Sequence, residues 1–298
     1  MTGNPLQFQW LARPTSMGGF PETRAEAHRA IEPDPIPLGV LWHYTSPAAA
    51  MSILQSRALW AGWPTLMNDP GEMAYGASVI FNHLQENRHD YRHPDEIQLI
   101  LQYAADPRAD MQAMNEPGTE VLPSTFVLCA SREMDDLGQY RAYGSHAIGF
   151  AADAFENRTW LPVQYSPDEH VNQADRLLRR YDTLLDDWPL DEQNVEAHIR
   201  AKSYFQIACA YMKAPAYAIE KEVRLVVGPD VIATGHHVGR LGITPHIEIK
   251  TYSGEHFASA LRIGPGAVDP ELAAVGAASL VQAVGGKFDV AVSPVKGR

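Results

Sequence analysis

Val40-Leu41-Trp42-His43-Tyr44-Thr45-Ser46-Pro47 (residues 40–47) sets a strand, a helix cap and a helix start end to end. The apolar and aromatic run from Val40 to Thr45 is of strand type, and Ser46 followed by Pro47 supplies an N-cap and a first-turn proline for a helix through about Arg57. Strand alternation puts His43 and Thr45 on one face and Tyr44 on the other. Two polar side chains thus leave a buried-looking strand in the same direction. Taken alone, they read as a satisfied core histidine beside a helix cap.

Working outward, residues 1–38 carry Pro5, Pro14, Pro21, Pro33, Pro35 and Pro37 without sustained periodicity and predict an extended arm, with one folded domain over 39–298. Asn68-Asp69-Pro70-Gly71-Glu72 opens a second helix, with Met73, Ala77, Ile80, Phe81 and Leu84 on one face. A further helix is expected over 95–105. Strands are expected over 124–131 and 146–150, and the polar stretch 132–145 between them is a candidate site loop. Apolar residues at helical spacing over 168–188 and 191–213 predict a helical pair, an insertion spanning about 168–213. Strands follow over 219–227, 246–250 and 258–263, then a helix over 270–284 and an apolar stretch over 288–292. Helices and strands intermix without regular alternation or repeats, which predicts an α+β fold.

The 298 residues carry 24 Lys and Arg against 36 Asp and Glu, a net charge of −12 that disfavours non-specific nucleic-acid binding. No apolar run approaches the roughly eighteen residues that span a bilayer, and the N-terminal segment has no signal-peptide pattern, so a cytoplasmic protein with no membrane partner is expected. Cys129 and Cys209 make neither a metal-binding pattern nor a disulfide framework, which fits a reducing compartment. No metal is expected. His89 and His93 read as solvated, and Ser145-His146, adjacent on a strand, as side chains turned apart. The chain lacks a Walker loop, GxGxxG after a strand, HExxH and GxSxG.

Glu220-Lys221-Glu222-Val223-Arg224-Leu225-Val226 is the sharpest segment, because alternation gathers Glu220, Glu222 and Arg224 on one strand face. It is either a surface ion-pair ladder or a site. Asp69, Pro70 and Glu72 satisfy a capping box, which leaves Asn68 unexplained.

In order and wording, HYTSPAAAMSILQSRALWAG, MNDPGE, CASREMDDLGQYRAYGSHAIGF, EKEVRLVV and ALRIGPGAVDPE resemble a bacterial domain family of unknown function, over about residues 41–284. The chain departs from it at Gln139, where the family shows a tryptophan, and at the short turn Tyr143-Gly144. That family in turn resembles the ADP-ribosyltransferase fold, in particular the DNA-targeting thymidine ADP-ribosyltransferase toxins. The resemblance implies a split mixed β-sheet core with peripheral helices and a helical insertion.

It also implies an NAD-dependent ADP-ribosyltransferase, a glycosyltransferase that uses NAD as substrate and acts as a bacterial toxin or phage-defence effector. Its acceptor would be a protein or a specific nucleic acid, and its partners would include a neutralising protein. By this resemblance Glu222 and His43 are catalytic. His43, Thr45, Ser46, Asn68, Tyr75, Arg141, Glu220 and Arg224 are expected to bind NAD, with Arg141 or Arg224 on the pyrophosphate and Tyr75 stacked on nicotinamide. Arg224 neutralising Glu222 or Glu220 is the other reading of that residue. Arg176, Arg179 and Arg180 are candidates for a groove if the acceptor is a nucleic acid. The alternative is a non-catalytic binding or scaffold module on the same fold, and a metal-dependent hydrolase using some of the 12 histidines is the third reading.

Overall fold

A computed structural model describes residues 29, 31–66, 71–105, 125–155, 159–187, 195–228, 233–239, 242–251 and 257–296. Among them run the strands β1 Val40–Thr45, β2 Ala58–Gly62, β3 Phe126–Ser131, β4 His146–Ala151, β5 Leu161–Pro162, β6 Glu222–Val227, β7 Gly235–Gly239, β8 Gly242–Lys250, β9 Ala260–Ile263 and β10 Asp289–Val292. The α-helices are α1 Pro47–Ser56, α2 Gly71–Glu86, α3 Pro94–Ala105, α4 Leu137–Tyr143, α5 Pro167–Asp187, α6 Val195–Ala210 and α7 Pro270–Ala283. The chain is thus a mixed α and β protein, consistent with α+β. The expected cap is in place: the Ser46 hydroxyl accepts from the Ala49 amide at 3.2 Å and Pro47 opens α1.

All ten strands form one sheet in the order β10-β9-β4-β1-β3-β2-β8-β7, with β6 on β3 and β5 on β6. Only β9 and β10 pair parallel; every other pair is antiparallel. The sheet forks at β3. Strand β6 takes one whole edge of β3, from Phe126↔Val227 to Ser131↔Glu222. On the other edge β1 meets β3 only at Trp42↔Ser131, and β2 meets it only at Gly62↔Val127. Between these two contacts the Cys129 carbonyl has no strand partner, and His43 Nδ1 reaches it at 3.0 Å. A carbonyl only accepts, so Nδ1 carries the proton and Nε2 is the free acceptor of the neutral ring.

Alternation along β6 separates two cores. Val223, Leu225 and Val227 pack with α1 and α7 on one sheet face. Glu222 and Arg224 face the other side, where α2, α3, α5 and α6 bury a second core around Tyr181, Tyr204, Phe205 and Tyr211. The predicted helical pair is therefore α5 and α6, packed on α2 and α3 as one layer of the fold. The described part of the predicted arm, residues 31–38, is tied to the helical layer. Ile31 is fully buried in the helical core, its carbonyl accepts from the Gln173 side chain, and the Glu32 carbonyl accepts from Arg176 at 3.2 Å. One apolar residue beside prolines gives no periodic signal, so this docking leaves no trace in the pattern.

The stretch 132–145 is partly helical. Asp136 caps α4, accepting from the Gln139 amide at 2.8 Å, and Gly144 turns the chain straight into β4. Gly144 has φ 130°, and a Cβ there would stand 2.5 Å from the Thr45 carbonyl oxygen. Only glycine fits both constraints. Gly144→Ala is expected to destabilise the fold by about 1–3 kcal/mol, read as a lowered urea midpoint at unchanged slope.

Candidate functional site

Glu222 is the first residue of β6, and it enters that strand abruptly. Pro215–Glu220 forms a 3-10 helix and Lys221 is left-handed with φ 43°, so the expected strand over 219–227 begins only at Glu222. Lys221 breaks the alternation. Glu222 and Arg224 share a strand face as predicted, whereas Glu220 arrives from the 3-10 helix.

Lys213 nevertheless gathers both glutamates. Its ammonium lies 2.7 Å from Glu72, 2.5 Å from Glu220 and 3.1 Å from Glu222, and the side chain is only 2% exposed. Arg224 holds Glu222 with both carboxylate oxygens, Nε to Oε1 at 2.8 Å and Nη2 to Oε2 at 2.9 Å, and also pairs with Glu72. Its remaining nitrogen donates to the Ala210 carbonyl at 2.7 Å. Three carboxylates meet two cations, leaving one net negative charge in a low-dielectric setting.

Tyrosines wall this cluster. The Tyr165 hydroxyl accepts from the Glu222 amide at 3.0 Å, the Tyr217 ring lies 5.1 Å from the Lys213 ammonium, and Tyr143 closes α4 nearby. Burial, with smaller contributions from Cys129 and Glu222, pushes the Tyr143 phenol up. Burial likewise pushes the Cys129 thiol up, reinforced by Glu222, so Cys129 is held as a thiol and is no nucleophile.

The two neighbouring glutamates are driven apart. Burial opposes ionisation of Glu222, but Arg224 and then Lys213 outweigh it and hold its carboxyl well below the usual range. At Glu220 burial prevails over Lys213 and raises the pKa. Glu222 is thus a fixed anion beside a more readily protonated partner, the division that lets two carboxylates take different roles.

A pH dependence follows from these opposite shifts. Glu222 stabilises the fold above its unfolded pKa, near 4.5, and that contribution disappears as pH falls through its lower folded value. Glu220 acts oppositely: its contribution is full below 4.5 and is lost as pH rises through its raised folded value. The larger shift belongs to Glu222, so stability is expected to fall between about pH 5 and about pH 2, and to fall less in Glu222→Gln. Urea midpoints across that range check this; equal slopes in the two proteins would contradict an ionised Glu222.

The other expected site residues are dispersed. The registers Trp42↔Ser131 and Ser131↔Glu222 put Trp42, not His43, on the Glu222 side of the sheet. His43 and Thr45 lie on the opposite face with Leu41, so the two residues expected to be catalytic by resemblance leave the sheet on opposite sides, because the register through β3 pairs Glu222 in line with Trp42. Burial lowers the His43 pKa and keeps the ring neutral.

Thr45 is buried opposite His146, and the exposed Ser46 is occupied as the α1 cap. Asn68 and the cap Asp69 lie outside the described residues. The Tyr75 hydroxyl donates to His170 Nδ1 at 3.1 Å, a direction fixed because His170 Nε2 donates to the Gln164 carbonyl at 2.9 Å. Tyr75 is therefore a support between α2 and α5 and not a stacking surface.

Arg224 is fully engaged by Glu222, Glu72 and the Ala210 carbonyl, which leaves Arg141, exposed in the last turn of α4, for a pyrophosphate. Of the three arginines suggested for a groove, Arg176 is tied to Glu32 and Gln173 and Arg179 to Asp175. Ser145 and His146 do meet, Oγ to Nδ1 at 3.1 Å, because Ser145 precedes the strand and escapes its alternation.

Sequence reasoning missed Glu72 and Lys213. The capping box had already accounted for Glu72, and a lone lysine past a helix end carries no signal. No family model matches the chain, and neither a curated protein nor a solved structure matches it.

Proposed function

We propose that the protein is an NAD-dependent ADP-ribosyltransferase that transfers ADP-ribose to a protein or a specific nucleic-acid acceptor. The observation that carries this reading is the ionised Glu222 at the head of β6, inside a tyrosine-walled cluster with one net negative charge. Breaking the nicotinamide–ribose bond turns a cationic ring into a neutral leaving group and spreads positive charge over the ribose. A fixed carboxylate stabilises that charge as it develops, and a net negative cluster edged by tyrosine rings suits the cationic ring before it leaves. In this reading the nicotinamide ribose sits at Glu222, with Arg141 on the pyrophosphate.

The second reading is a binding or scaffold module, favoured by how completely Lys213 and Arg224 satisfy Glu222. NAD binding separates the two. The full chain is expected to melt at a higher temperature with millimolar NAD, since a ligand that binds only the folded state stabilises it by mass action. No shift, together with no heat on calorimetric titration, would refute an NAD site. Labelled NAD incubated with cell lysate, followed by nuclease or protease, then identifies the acceptor class.

A further inference from the structure

At the far end of the sheet a second polar cluster stands apart from the glutamates. His246 of β8 is 5% exposed. Trp60 of β2 stacks on its ring, with centres 4.2 Å apart and planes at 21°. Beneath it lies Gly235 of β7, where a Cβ would stand 2.9 Å from the ring, so only glycine leaves room for the imidazole. The ring is therefore fixed in place from two sides. His237 of β7 points its own Nδ1 at His246 Nδ1, 3.2 Å away, with ring centres 5.2 Å apart.

We propose that His237 and His246 form a two-imidazole site for a divalent first-row transition-metal ion such as Zn2+. In a tetrahedral complex with metal–nitrogen distances of about 2.05 Å, the two bound nitrogens lie about 3.3 Å apart and the ring centres about 5.2 Å apart. A straight N–H···N bond of the observed length would hold the centres at about 5.5 Å. The two Nδ1 atoms therefore already stand at about the separation that a shared ion requires.

Thr244 lies on the same sheet face, opposite His237 in the β7–β8 register and two residues before His246. It is 3% exposed, and its hydroxyl is buried without a hydrogen-bond partner. Among the described residues no group of three or more His, Cys, Asp or Glu side chains is placed to hold a metal, so water fills the remaining positions. Glu248, the next residue on this face and paired with Trp60, adds a carboxylate field that favours a cation. Without metal, one Nδ1–H donates to the other Nδ1. On binding, that proton leaves Nδ1 and Nε2 takes one up, so no net proton is released. Imidazole ligands select zinc, nickel or copper over magnesium or calcium.

The test is calorimetric titration of the chelator-treated full chain with Zn2+, alongside His237→Ala, His246→Ala and His93→Ala. One saturable ion per chain is expected, bound at least ten-fold more weakly in either of the first two variants and unchanged in His93→Ala, which removes the histidine paired with Asp186. His246 fills a packed space, so if His246→Ala does not fold, His237→Ala decides alone. Absence of saturable binding, binding undiminished in His237→Ala, or loss in His93→Ala instead would overturn the proposal.

Discussion

Glu222→Gln is expected to reduce release of nicotinamide from NAD by roughly 100-fold or more, the scale of losing one electrostatic group that acts on the transition state. Glutamine keeps the size and most of the hydrogen bonding but removes the charge. Because that charge interacts more strongly with the developing ribosyl cation than with bound NAD, turnover falls while NAD affinity changes little. Glu220→Gln provides the internal comparison. Glu220 shares Lys213 but is not on the strand, and its carboxyl is raised, so it contributes less fixed charge. Loss of turnover in Glu220→Gln with Glu222→Gln unaffected would transfer the role to Glu220.

Lys213→Met should show the largest stability effect. Methionine approximates the shape of the lysine stem but withdraws the cation that holds Glu72, Glu220 and Glu222 together. Arg224 would then face three buried or half-buried carboxylates alone. Removing one partner of a buried charge group while the others remain typically destabilises by about 3–5 kcal/mol. The measurement is the urea midpoint of the variant near neutral pH. A double variant, Lys213→Met with Glu72→Gln, should recover part of the loss, since it removes one stranded charge. Equal midpoints for Lys213→Met and the unaltered chain would mean that the cluster carries no net stabilisation.

Local signals account for what the sequence disclosed. An uninterrupted apolar run, a Ser-Pro cap and period-2 spacing made β1 and α1 readable, and helical spacing of apolar residues made α2, α5 and α6 readable. Strand β2 was not: Ala58-Leu59-Trp60-Ala61-Gly62 has no β-branched residue and ends in glycine, and it becomes a strand by pairing with β8. Strand β7, with glycines at both ends and two histidines, was hidden for the same reason. Helix α4 is too short to show a period.

At the site, Glu222 and Arg224 were legible because strand neighbours two apart share a face. The error at Glu220 came from one left-handed residue, Lys221, which no periodicity argument anticipates. Lys213 and Glu72 reach the cluster only through tertiary packing of α6 and α2 on the sheet. The orientation of His43 depended on β3 lying between β1 and β6, and strand order is not written in local pattern.

Nicotinamide release by the full chain, with NAD in excess and cell lysate supplying acceptors, tests the central claim most directly. The account predicts release well above the protein-free rate and a return to near that rate in Glu222→Gln. No release by the unaltered chain, or equal release by the two proteins, would contradict it.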